Sequence, residues 1–498
     1  MNVNPITRLD YPDPDVIRVE DTYYMVSTTM HFMPGCEILQ SFDLVHWEHV
    51  TYVYETLDHT DAQQLKSGQN IYGQGMWAAS LRYHEGRFCI CFVANDTRKT
   101  YLYTSEKIDG PWKKQLIEGF YHDGSLLFDE DGRNYIVYGN DEIWITELNE
   151  DLTAPKKGGL HRLLVSDHKN PELGYEGSHI QKINGYYYIF LVHSLRDRWM
   201  RTEACFYSDS LEGEFTGGDV LCDDRGYCGQ GVAQGGIVDT PDGKWYAMLF
   251  QDSGAVGRIP ILVPVTWKDH FPVFGQNGHV PEEIEVHSTR PGYIYQPLVG
   301  SDDFCNGLLP RWQFNHDPDP RYYHLDALQG TYTITTREVC TELTQAVNTL
   351  TQRMSYPSCA AEVTVDASAL KEGDVAGLCA LQSCYAAVGI TKHHGKYEVL
   401  MLDKKEDGIL DMTEGTVVES HQMDFRLEAD FCNMKDEARC YYRVNKGDWL
   451  PIGTVHKLYF KLDHFTGCRF GLFCYAAEET GGSACFRDFK YYDVDEIS

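Results

Sequence analysis

The sequence predicts an all-β protein, a five-bladed β-propeller followed by a β-sandwich. Three observations carry this prediction: a strand–turn–strand pattern recurs five times before about residue 275, aromatic residues make up 13% of the chain, and no long amphipathic helical pattern interrupts the repeats. Units of roughly 45–65 residues with about four strands each are typical of propeller blades. From residue 301 onward this period disappears and short alternating strands follow, as in a sandwich.

Each repeat begins with a polar cluster, continues through a short apolar strand and a tight turn, and ends in an aromatic-rich strand. The five copies start at Asp13, Trp77, His122, Glu176 and Ala233. The turns of the last four copies read Glu-Gly, Asp-Gly, Asn-Gly and Asp-Gly. Such dipeptides supply the positive φ angles of two-residue hairpins. We therefore expect a hairpin at the centre of every blade.

These patterns divide the chain into a propeller over residues 1–295 and a sandwich over residues 301–498. The segment 276–300 has less strand character and is not a Gly/Ser tether, because it carries Val280, Ile284, Tyr293, Ile294 and Tyr295. Apolar residues at this density indicate a segment that packs between the domains instead of running through water.

Charge narrows the classes of partner. The chain has 43 Lys+Arg against 74 Asp+Glu, a formal net charge of -31. A field of this sign repels nucleic acids and anionic membranes, which leaves a small neutral substrate as the expected partner. The sequence leaves a homo-oligomer open.

Three further features indicate a cytoplasmic protein. The first ten residues do not form a signal peptide, and no segment approaches the ~20 apolar residues that span a bilayer. The 16 cysteines are scattered, with no CxxC pair and no Cys/His metal spacing. We therefore expect reduced, mostly buried thiols.

Carboxylates recur where the innermost strand of a blade begins, a position that faces the shared central channel. Asp13, Asp123 and Glu176 occupy it in the first, third and fourth repeats, whereas the stretches Trp77-Ala78-Ala79 and Gln234-Gly235 occupy it in the second and fifth. Like charges placed together raise the pKa of at least one group, so such a cluster needs a functional reason. Glycoside hydrolysis supplies one, because it uses one carboxylic acid and one carboxylate.

The same segments carry a resemblance to a known family. NPITRLDYPDPDVIRVEDTYYM, HDGSLLFDEDGR and YEGSHIQKINGYYYIF resemble the motifs of glycoside hydrolase family 43, the inverting β-xylosidases and α-L-arabinofuranosidases. The resemblance covers the whole chain and implies a concanavalin-like sandwich, a loop of which closes one side of the pocket. It implies that Asp13 is the general base, that Glu176 is the general acid, and that Asp123 orients the acid and raises its pKa.

The resemblance also assigns neighbours of the sugar. It implies that Arg258, in GAVGRIP, contacts the sugar and that Trp77 walls the same pocket. Met30 replaces an aromatic residue near the pocket. Gln234 stands where the family commonly has a His that sometimes binds calcium, which disfavours a structural calcium in the channel. We expect no cofactor and no catalytic metal.

One choice of base stays open on the residues alone. Asp15 follows Asp13 by two positions, so strand alternation predicts that both face the same side. The motif favours Asp13. In an inverting enzyme a water must fit between base and sugar, so the base and the acid should lie about 6.5–9.5 Å apart.

The expected activity is exo-acting release of xylose or arabinose from xylo- or arabino-oligosaccharides, as in xylan degradation. β-Xylosidase and α-L-arabinofuranosidase are not separated by the sequence, because both pentosides fit similar pockets. Two alternatives stand beside it. A retaining fructan hydrolase would have Asn where Pro12 precedes Asp13, and a non-catalytic sugar-binding propeller would not need three acids.

Overall fold

The computed structural model describes residues 2–493, and nearly all of its regular structure is β-strand. Residue 1 and residues 494–498, the outer ends of the two predicted domains, lie outside the described residues. Within residues 2–493 no helix is long and apolar enough to cross a membrane. The sixteen cysteines are free, and most of them are buried.

The amino-terminal part is a five-bladed propeller, as the sequence predicts, and each blade is a four-stranded antiparallel sheet. A short strand pair, β1 (Asn2–Val3) with β23 (Glu283–Ile284), lies beside it. The first blade contains β2 (Asp15–Val19), β3 (Thr22–Ser27), β5 (Gly35–Ser41) and β6 (Glu48–Tyr54), while β4 (Phe32–Met33) belongs to another sheet. The second blade contains β7 (Met76–His84), β8 (Arg87–Ala94), β9 (Lys99–Ser105) and β10 (Lys113–Ile117).

The remaining blades repeat this order. The third contains β11 (Ser125–Phe128), β12 (Asn134–Asn140), β13 (Glu142–Leu148) and β14 (His161–Ser166). The fourth contains β15 (Glu176–Ile183), β16 (Tyr186–Ser194), β17 (Arg201–Ser208) and β18 (Thr216–Leu221). The fifth contains β19 (Ile237–Asp239), β20 (Trp245–Asp252), β21 (Arg258–Lys268) and β22 (Phe271–Phe274).

The central hairpins do not all have the two-residue turns that the sequence predicts. Glu85-Gly86 and Asn184-Gly185 form such turns, with positive φ at both residues. In the third and fifth blades the strand pairing ends earlier, at Phe128 and Asp239, and five residues connect the strands. There only the glycine of the Asp-Gly dipeptide takes positive φ. A Gly after a polar residue thus predicted the position of each hairpin turn correctly, but it did not predict the number of residues in the turn.

The entry to the innermost strand has one backbone conformation in all five blades. One residue per blade has positive φ, namely Asp13 (51°), Ala78 (34°), Asp123 (47°), Gly177 (66°) and Gln234 (66°). These five residues, which align in the sequence as DPDV, AASL, DGSL, GSHI and QGGI, are the equivalent positions. Glu176 therefore lies one residue upstream of the position that the sequence analysis gave it, whereas the predicted stretch 77–79 contains the equivalent residue, Ala78. Trp77 and Glu176 each precede a register shift in their strand pairs.

Two residues after each of these positions, a second ring of side chains closes the channel. Asp15 Oδ2 accepts from Leu81 N (2.7 Å), Ser80 Oγ from Leu126 N (3.1 Å) and Ser125 Oγ from Ile180 N (3.0 Å), so the first four blades are tied one to the next. The expectation that Asp13 and Asp15 face the same side is wrong. Positive φ at Asp13 breaks the strand alternation, and β2 begins only at Asp15.

The guanidinium of Arg82 fills the channel at the level of this ring. It donates to Asp15 Oδ2 (2.8 Å), to Ser125 Oγ (2.7 Å) and to two backbone carbonyls. His179 Nδ1 lies 3.1 Å from the other oxygen of Asp15. Burial alone would raise the pKa of Asp15, but Arg82 and His179 lower it, so the carboxylate is ionised and belongs to an ion pair of the fold.

The carboxy-terminal part is a two-sheet sandwich. Its first sheet contains β24 (Gln313–Asn315), β27 (Leu350–Arg353), β29 (Asp374–Leu381), β30 (Tyr385–His393), β31 (Lys396–Lys404), β32 (Leu410–Met412), β33 (Thr416–Val418) and β37 (Arg469–Ala476). Its second sheet contains β25 (Tyr323–Asp326), β26 (Thr331–Thr335), β28 (Ser358–Asp366), β34 (Gln422–Asp430), β35 (Glu437–Arg443), β36 (Leu450–Lys457) and β38 (Ser483–Asp493).

The two parts share secondary structure and core. The propeller strand β4 pairs antiparallel with β24 and so becomes an edge of the sandwich sheet. Ala255, Val256 and Ile259 of the fifth blade pack in the hydrophobic core of the sandwich. Most of the connecting segment 276–300 follows the propeller, because Ile284 is buried among propeller residues and Ile294 is 82% exposed. Only its end lies between the two domains, where Val299 packs against both cores.

Candidate active site

A cavity of about 220 Å³ opens where the entry segments of the blades meet the sandwich. It is lined by side chains from both parts of the chain: Asp13, Trp77, His122, Asp123, Asn140, Leu173, Glu176, Trp199, Arg201, Gln234, Arg258, Leu462 and Phe465. Of the seven residues singled out in the sequence, six line this cavity, and Met30 does not. The cavity is smaller than the roughly 300–1,000 Å³ of pockets that hold drug-sized ligands.

Asp13 is held from three sides. Arg258 Nη1 (2.7 Å) and Gln234 Nε2 (3.1 Å) donate to its Oδ1, and Thr28 Oγ1 donates to its Oδ2 (2.6 Å). The side chain is 4% exposed. Three donors fix the direction of a carboxylate that can accept a proton from a water in the cavity.

His122 stands between the other two acids. Its Nε2 lies 3.5 Å from Asp123 Oδ2 and 3.5 Å from Glu176 Oε2. Asn140 Nδ2 donates to the same oxygen of Glu176 (2.9 Å), and the backbone N–H of Gly177 donates to Asp123 Oδ2 (2.9 Å). The positive φ at Gly177 turns the backbone so that the residue after the acid binds the neighbouring carboxylate.

His122, Asp123 and Glu176 shift one another's pKa values. Burial lowers the pKa of His122, but Asp123 and Glu176 outweigh burial and raise it to about 9. Burial and the Glu176 carboxylate raise the pKa of Asp123 to about 6, against the lowering effect of His122. Burial would also raise the pKa of Glu176, but its contact with His122 lowers it. A proton held by this cluster therefore rests on the imidazole, within reach of Glu176.

Two arginines form the opposite wall. Arg258 Nη1 donates to Asp13, and its Nε lies 3.3 Å from Asp252 Oδ1. Arg201 forms a short ion pair with the other oxygen of Asp252. Burial lowers the pKa of Arg258, yet Asp13 and Asp252 raise it on balance, so its charge persists beside the base. Guanidinium groups in such a place donate to sugar hydroxyls and to oxygen atoms that gain negative charge.

The sandwich supplies one wall of the cavity. The Phe465 ring packs edge-on against Trp77, with the ring centroids 5.2 Å apart. The Arg258 guanidinium lies 4.1 Å from the centroid of the Phe465 ring. Leu462 lines the cavity from the same loop. This is the loop that the family resemblance led us to expect. Trp77 Nε1 is buried and makes no hydrogen bond within residues 2–493, so the indole contributes an apolar surface to the cavity wall.

Met30 and Gln234 have different surroundings from those that the sequence suggested. Met30 is 1% exposed and lies behind the cavity, where its backbone pairs with Met76. The Gln234 side chain donates to the base, and its backbone N–H donates to the buried Glu203 carboxyl (2.7 Å). Burial raises the pKa of Glu203 well above its usual range. Gln234 thus links the base to a buried acid of the fourth blade.

Several site residues were missed in the sequence. His122 directly precedes Asp123 in the HDGS motif, so its neighbourhood was a signal that could have been used. Arg201 opens β17, which is not an innermost strand, and Trp199 lies in the loop before it. Leu462 and Phe465 come from a sandwich loop whose sequence gives no local sign of contact with the propeller.

One group of ligand atoms in the cavity could hold a cation. His122, Asp123 and Glu176 each offer an atom, and the three atoms lie within 4.8 Å of one another. Imidazole and carboxylate ligands at this spacing suit a transition-metal ion. A cation bound there would occupy the acid, so it would compete with the reaction and not assist it.

A propeller that carries a fixed carboxylate with an arginine bound to it, and a second carboxyl beside a proton-bearing imidazole, defines an acid–base hydrolase of glycosides. The chain belongs to glycosyl hydrolases family 43, because the sequence profile with that description matches residues 3–272. The enzymes of this family are inverting glycosidases. The profile described as "Beta xylosidase C-terminal Concanavalin A-like domain" matches residues 301–492, in agreement with the predicted second domain.

Relatives extend over both domains. A β-xylosidase of Formosa agariphila is 26% identical and is covered over 89% of its length by 99% of this chain. A non-reducing end α-L-arabinofuranosidase of Bacteroides ovatus is 24% identical, with 82% of this chain matching 79% of that protein. A solved structure named "Bifunctional GH43-CE", from Bacteroides eggerthii, is 42% identical with a TM-score of 0.92. It matches all of this chain, which spans 64% of that longer protein.

Proposed function

We propose that this protein releases single xylose or arabinose units from the ends of short xylo- or arabino-oligosaccharides. The observation that carries the proposal is the small cavity of about 220 Å³, which is lined by both working carboxylates, Asp13 and Glu176. Leu462 and Phe465 close the side through which a polymer would continue. The names of the curated relatives, β-xylosidase and α-L-arabinofuranosidase, support a pentose substrate.

In the proposed mechanism Asp13 removes a proton from a water as that water attacks the anomeric carbon. Glu176 donates a proton to the departing oxygen. Arg258 holds hydroxyls of the sugar while Trp77 forms an apolar wall, and the hydroxyl contacts strengthen as the ring approaches its oxocarbenium-like state.

The pKa directions in the cluster add a step to this scheme. His122 holds the proton and Glu176 does not, so we infer that the imidazolium passes a proton to Glu176 as the sugar displaces water from the cavity. Asp123 then orients the pair and balances the charge of His122. Water activation and proton donation need no organic cofactor and no catalytic metal, and we expect a chelator to leave most activity intact.

Substrates with different leaving groups distinguish the role of the acid from that of the base. Glu176→Ala should lose far more rate on xylobiose than on an aryl xyloside, because a good leaving group needs little protonation. Asp13→Ala should lose rate on both substrates, since water activation is required whatever departs. Equal losses of Glu176→Ala on the two substrates would contradict its role as the acid.

Substrate choice is settled by assay of the native enzyme. We would compare aryl β-xyloside, aryl α-L-arabinofuranoside, xylobiose and xylan, with proton NMR of the fresh product. Single pentoses of inverted configuration are the expected products. Rapid loss of xylan viscosity before pentose appears would show mid-chain cleavage and overturn the exo assignment, and binding without hydrolysis would leave only a sugar-binding propeller.

A further inference from the structure

The segment that carries Arg258 belongs to the fifth propeller blade, yet the sandwich also holds it. Residues 254–256 form a 3₁₀ turn, and Ala255 and Val256 are fully buried in the sandwich core. The backbone N–H of Cys468 donates to the carbonyl of Ala255 (2.8 Å). Asp436 Oδ1 accepts from Ala255 N (3.0 Å). Two sandwich strands and their loops thus fix the backbone that leads into Arg258.

One buried carboxylate joins this segment to the loop that closes the cavity. Asp10 Oδ1 accepts from the backbone N–H of Arg258 (2.7 Å), and Asp10 Oδ2 accepts from the backbone N–H of Gly467 (2.8 Å). Arg353 Nε of the sandwich donates to the carbonyl of Asp10 (2.8 Å). Asp10 is 2% exposed and lies three residues before the base.

The glycines around Asp10 show how close this approach is. A Cβ on Gly257, where φ is +105°, would lie 2.2 Å from Asp10 Oδ1, and a Cβ on Gly467 would lie 2.0 Å from the carbonyl oxygen of Val256. Burial raises the pKa of Asp10 to about 6. A buried acid in this position is compensated chiefly by the two N–H groups that it accepts from.

Two of the groups that contact the Arg258 side chain, Asp13 and Phe465, therefore lie close in the chain to residues held by this carboxylate. Asp13 follows Asp10 on the same short segment, and Phe465 precedes Gly467 by two residues. Arg258 donates to Asp13 and stacks on Phe465. A shift of either oxygen of Asp10 moves the arginine, the base or the aromatic wall relative to the others.

We propose that Asp10 is a positioning residue through which the sandwich sets the orientation of Arg258 toward the base and the sugar, with Asp436 as a second anchor of the same segment. The catalytic part of this inference rests on the proposed function. It makes the sandwich a part of the active-site scaffold that acts on the chemical step and not only on substrate access.

Asp10→Asn tests the proposal with little change of shape. A carboxylate accepts from both N–H groups, whereas an amide has one acceptor oxygen and presents N–H donors to the other group. We expect kcat on an aryl xyloside to fall on the order of 10–100-fold, with a smaller change in KM, because misplacement of a group that acts in the transition state lowers kcat.

Hydrogen–deuterium exchange of the full-length protein supplies a readout that does not depend on activity. In Asp10→Asn, exchange should rise in peptides covering 253–260 and 462–468. In Asp436→Asn it should rise in 253–260, with a smaller loss of kcat. Asp374→Asn is the matched control, because Asp374 is equally buried in the sandwich, accepts a backbone N–H from Lys371 (2.8 Å) and has a pKa raised to about 6. It should change neither segment nor kcat.

Retention of kcat within about 2-fold in folded Asp10→Asn would overturn the proposal. A fall of kcat with unchanged exchange in both segments would overturn it as well. If Asp10→Asn does not fold, the test passes to Asp436→Asn, where unchanged kcat and exchange would have the same meaning. If the native enzyme does not cleave pentosides, the proposed function fails, whereas the exchange pattern still reports whether Asp10 couples the two segments.

Discussion

His122 lies between the two carboxyl groups of the acid cluster, Asp123 and Glu176. The resemblance gives the task of keeping a proton on Glu176 to Asp123, yet the imidazole lies 3.5 Å from both carboxyl groups and its pKa is raised to about 9. The three groups titrate together, so their pKa values belong to the cluster as a whole. A histidine cation beside two carboxylates also avoids the cost of burying two like charges.

The dependence of kcat/KM on pH tests this arrangement. In the native enzyme the activity should fall at alkaline pH, as the proton with the pKa of about 9 leaves the cluster. In His122→Asn the proton must be shared by two carboxyl groups alone, so the alkaline fall should begin at lower pH. An alkaline limb that does not move would mean that Glu176 keeps its proton without the histidine.

Two residues in one strand entry have opposite roles, as substitution should show. Asp15→Asn leaves the buried Arg82 without its counter-charge, and breaking a buried pair costs about 3–5 kcal/mol. We expect a large fall in the urea midpoint but nearly normal kcat for the protein that remains folded. Asp13→Asn should lose activity with a smaller fall in stability, because Arg258 keeps Asp252 as a second counter-charge. Normal stability in Asp15→Asn would contradict the ion-pair role of this acid.

The contribution of the Asp15 ion pair to the free energy of unfolding changes with pH in a definite direction. The pKa of Asp15 is lower in the folded protein than in the unfolded chain. Its contribution to stability is therefore fully present above the unfolded value of about 3.9 and is lost as the pH falls through the lower folded value. The difference in unfolding free energy between the native protein and Asp15→Asn should shrink only in strong acid.

At the scale of the blade, the repeat pattern predicted more than single residues did. Asp13 and Asp123 occupy equivalent positions, and the period alone placed both at the channel. Glu176 reaches the same cavity from one residue upstream, because positive φ at Gly177 and a register shift displace it. Backbone geometry of this kind leaves no mark in a hydrophobic pattern, so the cavity was predicted correctly while the position of Glu176 within the repeat was not.

Contacts between distant segments were beyond local prediction. Phe465 and Leu462 reach the cavity from a loop more than 200 residues after Arg258, and only the family resemblance indicated that such a loop exists. Local prediction also missed the pairing of β4. Its two residues lie within the predicted propeller, but they pair with β24 of the sandwich. Pairing between domains depends on shape after folding, which periodicity does not encode.

The whole molecule is expected to behave as one cooperative unit. Ala255, Val256 and Ile259 would be exposed if the chain ended near Gly300, and β4 would lose its partner strand. We therefore expect such a truncated chain to be insoluble or nearly inactive on an aryl xyloside. A soluble truncated chain with near-native turnover would show that the sandwich is only an accessory to the propeller.

Three buried histidines lie at the interface between the domains, directly behind the cavity loop. The His31 ring of the propeller lies 4.6 Å from that of His316 and 5.2 Å from that of His464, both in the sandwich. Tyr72 and Asn315 pack beside them, and His31 Nε2 lies 3.1 Å from Asn315 Oδ1.

The charges around this cluster do not favour protonation. Burial and the neighbouring histidines, followed by Arg469, lower the pKa of His31 well below its usual range. Burial lowers the pKa of His316 and of His464 to about 3, although Asp463 opposes the shift at His464. All three rings are thus neutral in the folded protein at pH values where free histidine would be charged.

This cluster predicts loss of stability in mild acid. The unfolded histidines bind protons below about pH 6.5 and the folded ones do not, so stability falls as the pH drops from there toward 3, by on the order of 2 kcal/mol per histidine at pH 5. Unfolding free energies from urea titrations at pH 7 and pH 5 would measure it. His316→Gln keeps an acceptor for the Ile71 N–H (3.0 Å) and should show a smaller fall between the two pH values. The exposed His168→Gln is the control, and a native-like fall in both variants would remove His316 from the acid response.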